Sequence, residues 1–329
     1  MKKSKLRAGM AAIILIGITL IGCGAKEKGD VEGEVFTIGV NQLVKHAALD
    51  ASYQGFVDAL EEAGYKDGKN IKIDYQNAQG DQSNTNTIAS KLVNDNNDLI
   101  LAIGTPAAQA VANATKDIPI LVTAVTDPAE SGLVKTNDAP GGNVSGTSDL
   151  TPVKRQMELL KQLVPDAINV AILYCSSESN SKIQAEIAME AAKDLGIKAS
   201  IATVSDSNEI HQVVQSLVGT VDAIYAPTDN IIAEGMPTVA SIANANGIPV
   251  ICGEEGMVDK GGLATYGIDY YKLGKLTGKQ AVRIIEGEAE TATMPIEYIP
   301  DDEYTFKINE DVAAELGINI PEELAAEME

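Results

Sequence analysis

The chain has 329 residues, of which 45% are hydrophobic and 22% charged, and its formal charge is -22 at pH 7. This composition is typical of a globular protein and excludes a disordered chain, a collagen-like repeat and a disulfide-stapled miniprotein. At roughly 150 residues per domain, the length indicates about two domains with their own cores. Because 47 Asp and Glu stand against 25 Lys and Arg, the chain would repel a phosphate backbone, and we expect no nucleic-acid partner.

Residues 1–22 are typical of an export signal. A basic start from Met1 to Arg7 precedes an uncharged apolar run from Ala8 to Ile21. This run is shorter than the roughly 20 apolar residues that span a bilayer, so a signal sequence is favoured over a permanent transmembrane anchor. The segment ends in Leu20-Ile21-Gly22-Cys23, which resembles the bacterial lipobox, in which the cysteine is acylated.

The lipobox resemblance implies a lipoprotein. After removal of residues 1–22, Cys23 would carry a lipid such as palmitate, and residues 23–34 would comprise this cysteine and a polar tether. We therefore expect an extracytoplasmic protein that is lipid-anchored to the bacterial cell membrane.

From Phe36 onward, short apolar runs alternate with amphipathic stretches, a pattern typical of βαβ units. The turn-rich segment Asp138–Asn143 interrupts this pattern, which then starts again. In the first half we predict strands at Phe36–Val40, Ile71–Tyr75, Leu99–Ile103 and Ile120–Thr123, and helices at Leu49–Ala63, Thr85–Asn94 and Ala107–Ala114. In the second half we predict strands at Val170–Tyr174, Ser200–Val204, Ala223–Tyr225, Pro249–Cys252 and Leu263–Ile268, and helices at Val153–Leu163, Ser181–Leu195, Glu209–Leu217, Ile231–Asn246 and Tyr270–Glu286. A mixed C-terminal segment follows and ends in Asp311–Leu316.

This architectural repeat predicts the α/β class, with two doubly wound parallel-sheet lobes. In such sheets, ligands bind beyond the carboxyl ends of the strands, and two facing lobes would line one cleft. In a doubly wound order, the strands that end at Cys175 and Cys252 are two places apart, ~10 Å at ~4.8 Å per strand, which is beyond disulfide reach. We therefore predict two free, largely buried thiols.

Several kinds of catalytic and cofactor motif are absent from the sequence. It contains no Gly-x-Gly-x-x-Gly after the first strand and no Gly-x-x-x-x-Gly-Lys-Ser/Thr, which argues against nucleotide chemistry. Its two histidines, His46 and His211, have no partners at metal-ligand spacing. We expect neither cofactor nor metal and no enzyme, although an enzyme that uses only carboxylates stays an alternative.

Two loops of the first half follow strand ends. Gln42, Leu43 and His46 come after the first strand, where one lobe would meet a ligand's side chain; the alternative is an ordinary turn with a surface histidine. After the third strand, Gly104 precedes Thr105 at a predicted N-cap and Pro106 at the first helical position. That helix N-terminus can bind an anion, or Thr105 can simply cap the helix.

Polar and acidic residues recur at the remaining strand ends. These candidates are Thr126, Asp127, Asn180, Asp229, Asn230, Glu254 and Asp269. Unpaired carboxylates in a dry cleft are costly, so we expect some to cap helices and one or two to hold a ligand's ammonium group. A zwitterion fits this pattern, with its ammonium on Asp229 or, second, Asp269, and its carboxylate on the helix N-termini at Thr105 or Asn180.

Several motifs together resemble those of the substrate-binding lipoproteins of ABC transporters whose described members bind tryptophan, tyrosine or phenylalanine. In chain order these are Gly104-Thr105-Pro106-Ala107-Ala108, Val125-Thr126-Asp127-Pro128, Pro140-Gly141-Gly142-Asn143-Val144-Ser145-Gly146, Pro227-Thr228-Asp229-Asn230 and Gly267-Ile268-Asp269-Tyr270-Tyr271-Lys272-Leu273-Gly274. The resemblance covers the chain from about Phe36 to its end. It implies a type I periplasmic-binding-protein fold, a permease and an ATPase as partners, and an aromatic amino acid as ligand.

The resemblance also implies that the chain passes between the lobes several times. We expect residues 35–146 and 254–292 in the N-terminal lobe, residues 147–253 and 293–329 in the C-terminal lobe, and a monomer. Four tyrosines at strand ends could contact an aromatic ring or belong to the lobe cores: Tyr174, Tyr225, Tyr270 and Tyr271.

The sequence thus predicts a receptor that closes on a small zwitterion, most favourably an aromatic amino acid. A nucleoside or sugar receptor is the nearest alternative, because acidic and amide side chains also bind hydroxyl groups. A carboxylate-dependent extracytoplasmic enzyme is the alternative of another class. An adhesive or sensory lipoprotein with the same fold is a third.

Overall fold

The computed structural model describes residues 35–327. The predicted signal, Cys23 and the tether lie outside these residues. Val35–Glu329 forms one compact unit. No helix in the described part of the chain is both long and apolar enough to cross a membrane.

Strands and helices alternate along most of the chain. The first half contains β1 (Phe36–Gln42), α1 (Ala47–Glu62), β2 (Ile71–Asn77), α2 (Gln82–Asn94), β3 (Leu99–Ile103), α3 (Thr105–Ala114), β4 (Ile120–Val125) and β5 (Val144–Ser148). The second half contains α4 (Val153–Leu163), β6 (Asn169–Cys175), α5 (Ser179–Asp194), β7 (Lys198–Val204), α6 (Ile210–Leu217), β8 (Ala223–Ala226), α7 (Asn230–Ala245), β9 (Val250–Cys252), α8 (Glu255–Asp259) and β10 (Ala264–Gly267). The chain ends with α9 (Tyr270–Ile285), β11 (Glu297–Tyr298), β12 (Thr305–Ile308), α10 (Glu310–Glu315) and α11 (Glu322–Ala325).

The strands form two six-stranded sheets. Sheet 1 has the order β11-β5-β4-β3-β1-β2, and sheet 2 has the order β12-β10-β9-β8-β6-β7. Neighbouring strands are parallel except β10 and β12, which are antiparallel. In each sheet the first strand lies between the second and third, so the predicted doubly wound α/β class is confirmed.

Each sheet and its helices form one lobe with its own core. Sheet 1 packs with α1, α2, α3 and α9, and sheet 2 with α4 to α8 and the C-terminal helices. The inner strands β3 and β4 are buried along their whole lengths, because helices cover both faces of a parallel sheet. We call these two bodies the first and second lobes.

The strands near the crossings differ from the sequence expectation. β5 was not predicted, because its residues Val-Ser-Gly-Thr-Ser form no apolar run. β10 and α8 belong with sheet 2 and β11 belongs to sheet 1, so the expected assignments of residues 254–267 and 297–298 were wrong. Hydrogen bonding decides this: β10 lies between β9 and β12, and β11 pairs with β5.

The two cysteines of the described chain are free and buried. Cys175 ends β6 and Cys252 ends β9, and β8 lies between these two strands. This arrangement agrees with the prediction from strand order.

Helices α1 and α9 cross with their backbones in contact, and glycines make this possible. A Cβ atom at Gly274 would collide with the backbone oxygen of Ser52, and one at Gly278 would lie 2.7 Å from the oxygen of Phe56. After β10 the chain returns to the first lobe, and this contact fixes α9 against α1. This contact positions the start of α9, where Tyr270 lies.

The packing predicts the effect of adding one methyl group. We expect Gly274→Ala to lower the free energy of unfolding by about 2 to 3 kcal/mol, because the two helices must separate. Gly142→Ala is the matched control, since nothing lies within 4 Å of its Cβ position, and it should change stability by less than about 0.5 kcal/mol. Urea unfolding measures both, and equal stabilities would contradict the close packing.

Candidate functional site

A narrow cavity lies between the two lobes, at the carboxyl ends of the strands. In this arrangement its side chains lie close together and leave a cavity volume of about 10 Å³. Helices α1, α5, α7, α8 and α9 all begin at this cavity. The lining residues are His46, Leu49, Ala124, Asp149 and Tyr270 from the first lobe and the crossing segment, and Asn180, Thr228, Asp229, Asn230, Ala233 and Glu254 from the second.

Three hydrogen bonds between side chains connect the lobes around the cavity. His46 Nε2 lies 3.2 Å from Asn230 Oδ1, and Gln184 Nε2 donates to Thr126 Oγ1 at 3.3 Å. Gln109 of α3 donates to the hydroxyl of Ser179 at 3.3 Å. The lobes are therefore in contact across the cleft.

Asp229 is held by the protein itself. Its Oδ1 accepts the backbone N–H of Ile232 at 2.8 Å, and its Oδ2 accepts the N–H of Cys175 at 2.6 Å and the hydroxyl of Ser181 at 2.7 Å. The carboxylate thus caps α7 and fixes the end of β6. Both oxygens of Asp229 accept hydrogen bonds from the protein, which favours the capping alternative over the ammonium role that we expected.

Glu178 is a second buried acid at the start of α7 that the sequence analysis missed. Its Oε1 accepts the N–H of Ile231 at 3.1 Å, and its Oε2 accepts Asn230 Nδ2 at 2.6 Å. Burial and the nearby charge of Asp229 raise the pKa of Glu178, and burial raises the pKa of Asp229. Two neighbouring buried carboxyl groups resist losing both protons, so the pair favours a retained proton or a bound cation.

Asp149 is the acid with a free oxygen. It follows β5, and its Oδ2 accepts the hydroxyl of Tyr270 at 2.9 Å, whereas its buried Oδ1 has no partner among the described residues. Burial raises the pKa of Asp149 to about 6. Tyr270 keeps its proton, because burial and the charge of Asp149 raise its pKa well above the usual value. The pair therefore presents a carboxylate oxygen to the cavity.

The two remaining acids of the second half also cap helices. Glu254 Oε2 accepts the N–H of Gly256 at the start of α8, and burial raises the pKa of Glu254 to about 7. Asp269 Oδ1 accepts the N–H of Lys272 at the start of α9. Only Glu254 lines the cavity, so Asp269 is not placed to hold its ligand.

Asp127 lies in a turn beside the site. Its Oδ1 accepts the N–H groups of Ala129 and Glu130 and the amide of Asn137. Its neighbour Thr126 is buried at the lobe contact with Gln184. The structure therefore brings Thr126 to the cleft and gives Asp127 a structural role.

The loop after β1 supports the site and reaches it through His46. Gln42 donates to the oxygen of Val44 and to Asp50, and Leu43 packs in the core of the first lobe. Gln42 is the last residue of β1 rather than a turn residue, and neither it nor Leu43 lines the cavity. His46 lines it as the N-cap residue of α1, and burial lowers its pKa to about 4.

The start of α3 lies close to the second lobe. Gly104, with φ +94°, is the N-cap residue of α3, and Thr105 is its first helical residue. The helix therefore begins one residue earlier than predicted, since Thr105 was expected at the N-cap. A Cβ atom on Gly104 would lie 3.3 Å from Leu43 and 3.8 Å from Asn230 Oδ1. Thr105 Oγ1 is buried and has no partner among the described residues.

Ala124 lies at the cavity with an unusual backbone. Its φ of +53° is in the left-handed region, and the pairing of β4 with β5 shifts between Val122 and Val125. A left-handed conformation is unfavourable for a residue with a side chain and is often found at functional sites. The bulge ends regular pairing where the cavity begins.

Of the four tyrosines considered, only Tyr270 lines the cavity. Tyr225 is buried in the second lobe and donates to Gln156 Oε1 at 2.7 Å. Tyr174 packs against the same core, and Tyr271 donates to Asp58 on the first lobe. The lobe-core alternative is correct for Tyr225 and Tyr174, whereas Tyr271 lies neither at the cavity nor in a core cluster.

Asp149 and Leu49, which line the cavity, were missed for different reasons. Asp149 follows β5, which the sequence pattern did not reveal, so it was not recognised as a residue at a strand end. Leu49 was placed at the start of the first predicted helix but was not considered a site residue, because only polar residues and the strand-end loops were weighed. Within the described chain, no group of His, Cys, Asp and Glu is arranged to hold a metal ion.

Two α/β lobes that close over a shared polar cavity define a two-lobed binding protein. The family described as ABC transporter substrate binding protein matches residues 37–329, and the chain belongs to this family. Proteins of this family are extracytoplasmic and bind their substrates rather than transform them, so the chain is a binding protein and not an enzyme.

Individual relatives agree with the family. A protein of Clostridioides difficile strain R20291 named tyrosine-binding protein is 46% identical over 327 residues, which cover 97% of this chain and 94% of that protein. The structure of an ABC domain from Streptococcus pneumoniae in complex with L-Trp matches with a TM-score of 0.85 and 43% identity over 89% of this chain and 98% of that one. The predicted type I periplasmic-binding-protein fold is confirmed.

A third relative clarifies the arrangement of the lobes. The ligand-free, open structure of a substrate-binding protein with adhesive properties from Clostridium difficile is 51% identical, with a TM-score of 0.66 over 88% of this chain and 97% of that one. The chain therefore superposes better on the L-Trp complex than on the open structure, although its sequence is closer to the latter. With the hydrogen bonds across the cleft, this indicates the closed arrangement.

The different environments of Asp229 and Asp149 predict different stability effects. Asp229→Asn replaces an acceptor by an amide that faces N–H donors, so we expect a loss of about 1 to 3 kcal/mol in the free energy of unfolding. Asp149→Asn is the matched variant, and it keeps an acceptor for Tyr270 and should change stability by less than about 1 kcal/mol. Urea unfolding at pH 7 compares them, and a larger loss for Asp149→Asn would contradict this assignment of roles.

Proposed function

We propose that the protein is the lipid-anchored substrate-binding component of an ABC importer and that it binds an aromatic amino acid between its lobes. The observation that carries this proposal is the free carboxylate oxygen of Asp149 in a closed cavity lined by both lobes. The relatives named for tyrosine and bound to L-Trp support the ligand class.

Asp149 binds the ammonium group of the ligand in this proposal. It combines a buried, unpartnered Oδ1 with a second oxygen that Tyr270 holds in place. No lysine or arginine is among the described residues that line the cavity, so a cationic group of the ligand supplies the missing charge. Charge-assisted hydrogen bonds of this kind are shorter and stronger than neutral ones. Glu254, which lines the same cavity, adds to the negative potential.

The ligand's carboxylate is proposed to bind where helix N-termini converge. Thr228 Oγ1 is buried, has no partner among the described residues, and lies beside the start of α7. Asn180 lies in the first turn of α5. The first N–H groups of α7 already donate to Glu178 and Asp229, whereas no described side chain caps the start of α5. The positive end of α5 can therefore stabilise an anion without a basic side chain. Thr105 at the start of α3 is a further hydroxyl donor close to this region.

The apolar part of the ligand is proposed to contact Leu49, Ala233 and the ring of Tyr270. All three residues line the cavity and are buried. Because the ligand contacts residues of both lobes, it binds the closed arrangement better than an open one. Binding therefore shifts the population toward closure, and the closed form is the one that a permease can distinguish.

Membrane attachment completes the proposal. A lipid such as palmitate on Cys23 anchors the protein to the cell membrane, and the polar residues up to 34 connect this anchor to the folded unit. The permease and its ATPase receive the substrate, and the protein acts as a monomer.

Calorimetry of the chain from Gly24, which keeps the whole compact unit, tests the ligand. We expect stoichiometric binding of L-tryptophan, L-tyrosine or L-phenylalanine and no binding of leucine or a nucleoside. Asp149→Asn should weaken binding about 10- to 100-fold, because a charged hydrogen bond to the ammonium is lost. Asp127→Asn is the matched control and should leave the affinity unchanged, since Asp127 faces a turn. Binding of a nucleoside alone would replace this proposal with the rival receptor.

The affinity should also depend on pH in a defined direction. The pKa of Asp149 without ligand is raised to about 6, and the ammonium group binds the ionised form. Below pH 6 binding must release a proton, so the affinity should fall by about tenfold per pH unit. His46, with its pKa of about 4, and the ligand's own groups keep their charge between pH 5 and 7.

Variants of Asp149 and Glu254 show which of these two acids causes the pH dependence. Asp149→Asn should remove the dependence between pH 5 and 6. Glu254, with a pKa of about 7, also lines the cavity. A dependence that survives in Asp149→Asn and disappears in Glu254→Gln would assign the ammonium contact to Glu254 instead.

A further inference from the structure

Among the described residues, the side of the cavity formed by α1 contains no acid, in contrast to the side that contains Asp149 and Glu254. His46 and Leu49 are three residues apart, share one face of the helix and both line the cavity. Leu49 is fully buried and apolar, so His46 supplies the polar atoms of this wall. Asp149 and Glu254 lie on other elements. The ammonium end of an aromatic amino acid and its side chain would therefore contact different parts of the cavity.

The contacts of Asn230 determine which nitrogen of His46 carries hydrogen. Asn230 Nδ2 donates to Glu178 Oε2 at 2.6 Å, so its amide oxygen is the atom 3.2 Å from His46 Nε2. A carbonyl oxygen only accepts, and therefore Nε2 carries the hydrogen. Because burial lowers the pKa of His46 to about 4, the ring is neutral at pH 7 and Nδ1 has a free lone pair.

No described residue donates a hydrogen bond to the lone pair of Nδ1. Nδ1 is buried and has no hydrogen-bond partner among the described residues. An acceptor in this position makes no favourable contact with a plain hydrocarbon ring. It pairs with a phenolic O–H or an indole N–H.

We propose that His46 Nδ1 determines side-chain specificity by accepting a hydrogen bond from the ligand's aromatic side chain. This inference rests on the proposed function, because it requires an aromatic amino acid in the cavity. A site that offers a buried acceptor discriminates against an analogue without the donor. We expect L-phenylalanine to bind about 10- to 100-fold more weakly than L-tyrosine, because it leaves Nδ1 unpaired.

Two substitutions at His46 separate this role from the lobe contact. In His46→Gln, the amide nitrogen replaces Nε2 and can donate to Asn230, but no acceptor remains at the position of Nδ1. In His46→Asn, the amide oxygen replaces Nδ1 as an acceptor. Calorimetry should show that His46→Gln binds tyrosine and phenylalanine within threefold of each other, whereas His46→Asn keeps a preference for tyrosine.

The ring nitrogen can also be observed directly. The chain has two histidines, and His211 is exposed on α6, so His211→Gln leaves a single imidazole to follow by ¹⁵N NMR. With saturating L-tyrosine, the Nδ1 resonance should move in the direction of an accepted hydrogen bond. With saturating L-phenylalanine it should not.

The outcomes distinguish this inference from the proposal beneath it. Equal affinities for tyrosine and phenylalanine in the unmodified chain, or an unchanged ratio in His46→Gln, would overturn the role of His46 alone. Failure of every aromatic amino acid to bind would overturn the proposed function and this inference with it.

Discussion

The site is organised by the cost of burying negative charge. Acids lie at several strand ends around the cavity, and no lysine or arginine is among its described lining residues. Most of these acids accept backbone N–H groups at helix starts, as Asp229 does at α7 and Glu254 at α8. Such bonds stabilise a carboxylate without a cation. Asp149 differs because its Oδ1 is buried and has no partner among the described residues, and this difference defines where a cationic group of the ligand fits.

The same helix starts couple binding to the arrangement of the lobes. His46 at α1 contacts Asn230 at α7, and Gln184 of α5 contacts Thr126 after β4. These bonds exist only when the lobes are together. A ligand that contacts Asp149 on one side and Thr228 on the other adds to them, so closure and binding stabilise each other. The glycine contact between α1 and α9 keeps His46 and Tyr270 in fixed relation during this movement.

Much of the fold follows from the alternation of apolar runs with amphipathic stretches. This periodicity is strong for buried parallel strands such as β3 and β4. It fails for β5, whose side chains are small or polar because they pack against α9 and bond to Thr277 and Met294. Without β5, Asp149 could not be recognised as a residue at a strand end. The sheet membership of β10 was equally inaccessible, since it depends on long-range pairing rather than on local pattern.

Within the site, the sequence indicated the right loops but not the right oxygens. Asp229 and Asp149 are both aspartates after a strand, and only the N–H groups around them show that one is occupied and the other free. His46 was found because it lies between a strand and a helix. Its protonation state depends on Asn230 and Glu178, which are distant in the chain.

A crystal structure of the chain from Gly24 with L-tyrosine is the most direct test of the central claim. The account predicts closed lobes and the ligand's ammonium nitrogen about 2.7 to 2.9 Å from Asp149 Oδ1, with Asp229 still bonded to Cys175 and Ser181. An ammonium group bound to Asp229 instead, or a ligand carboxylate facing Asp149, would contradict it.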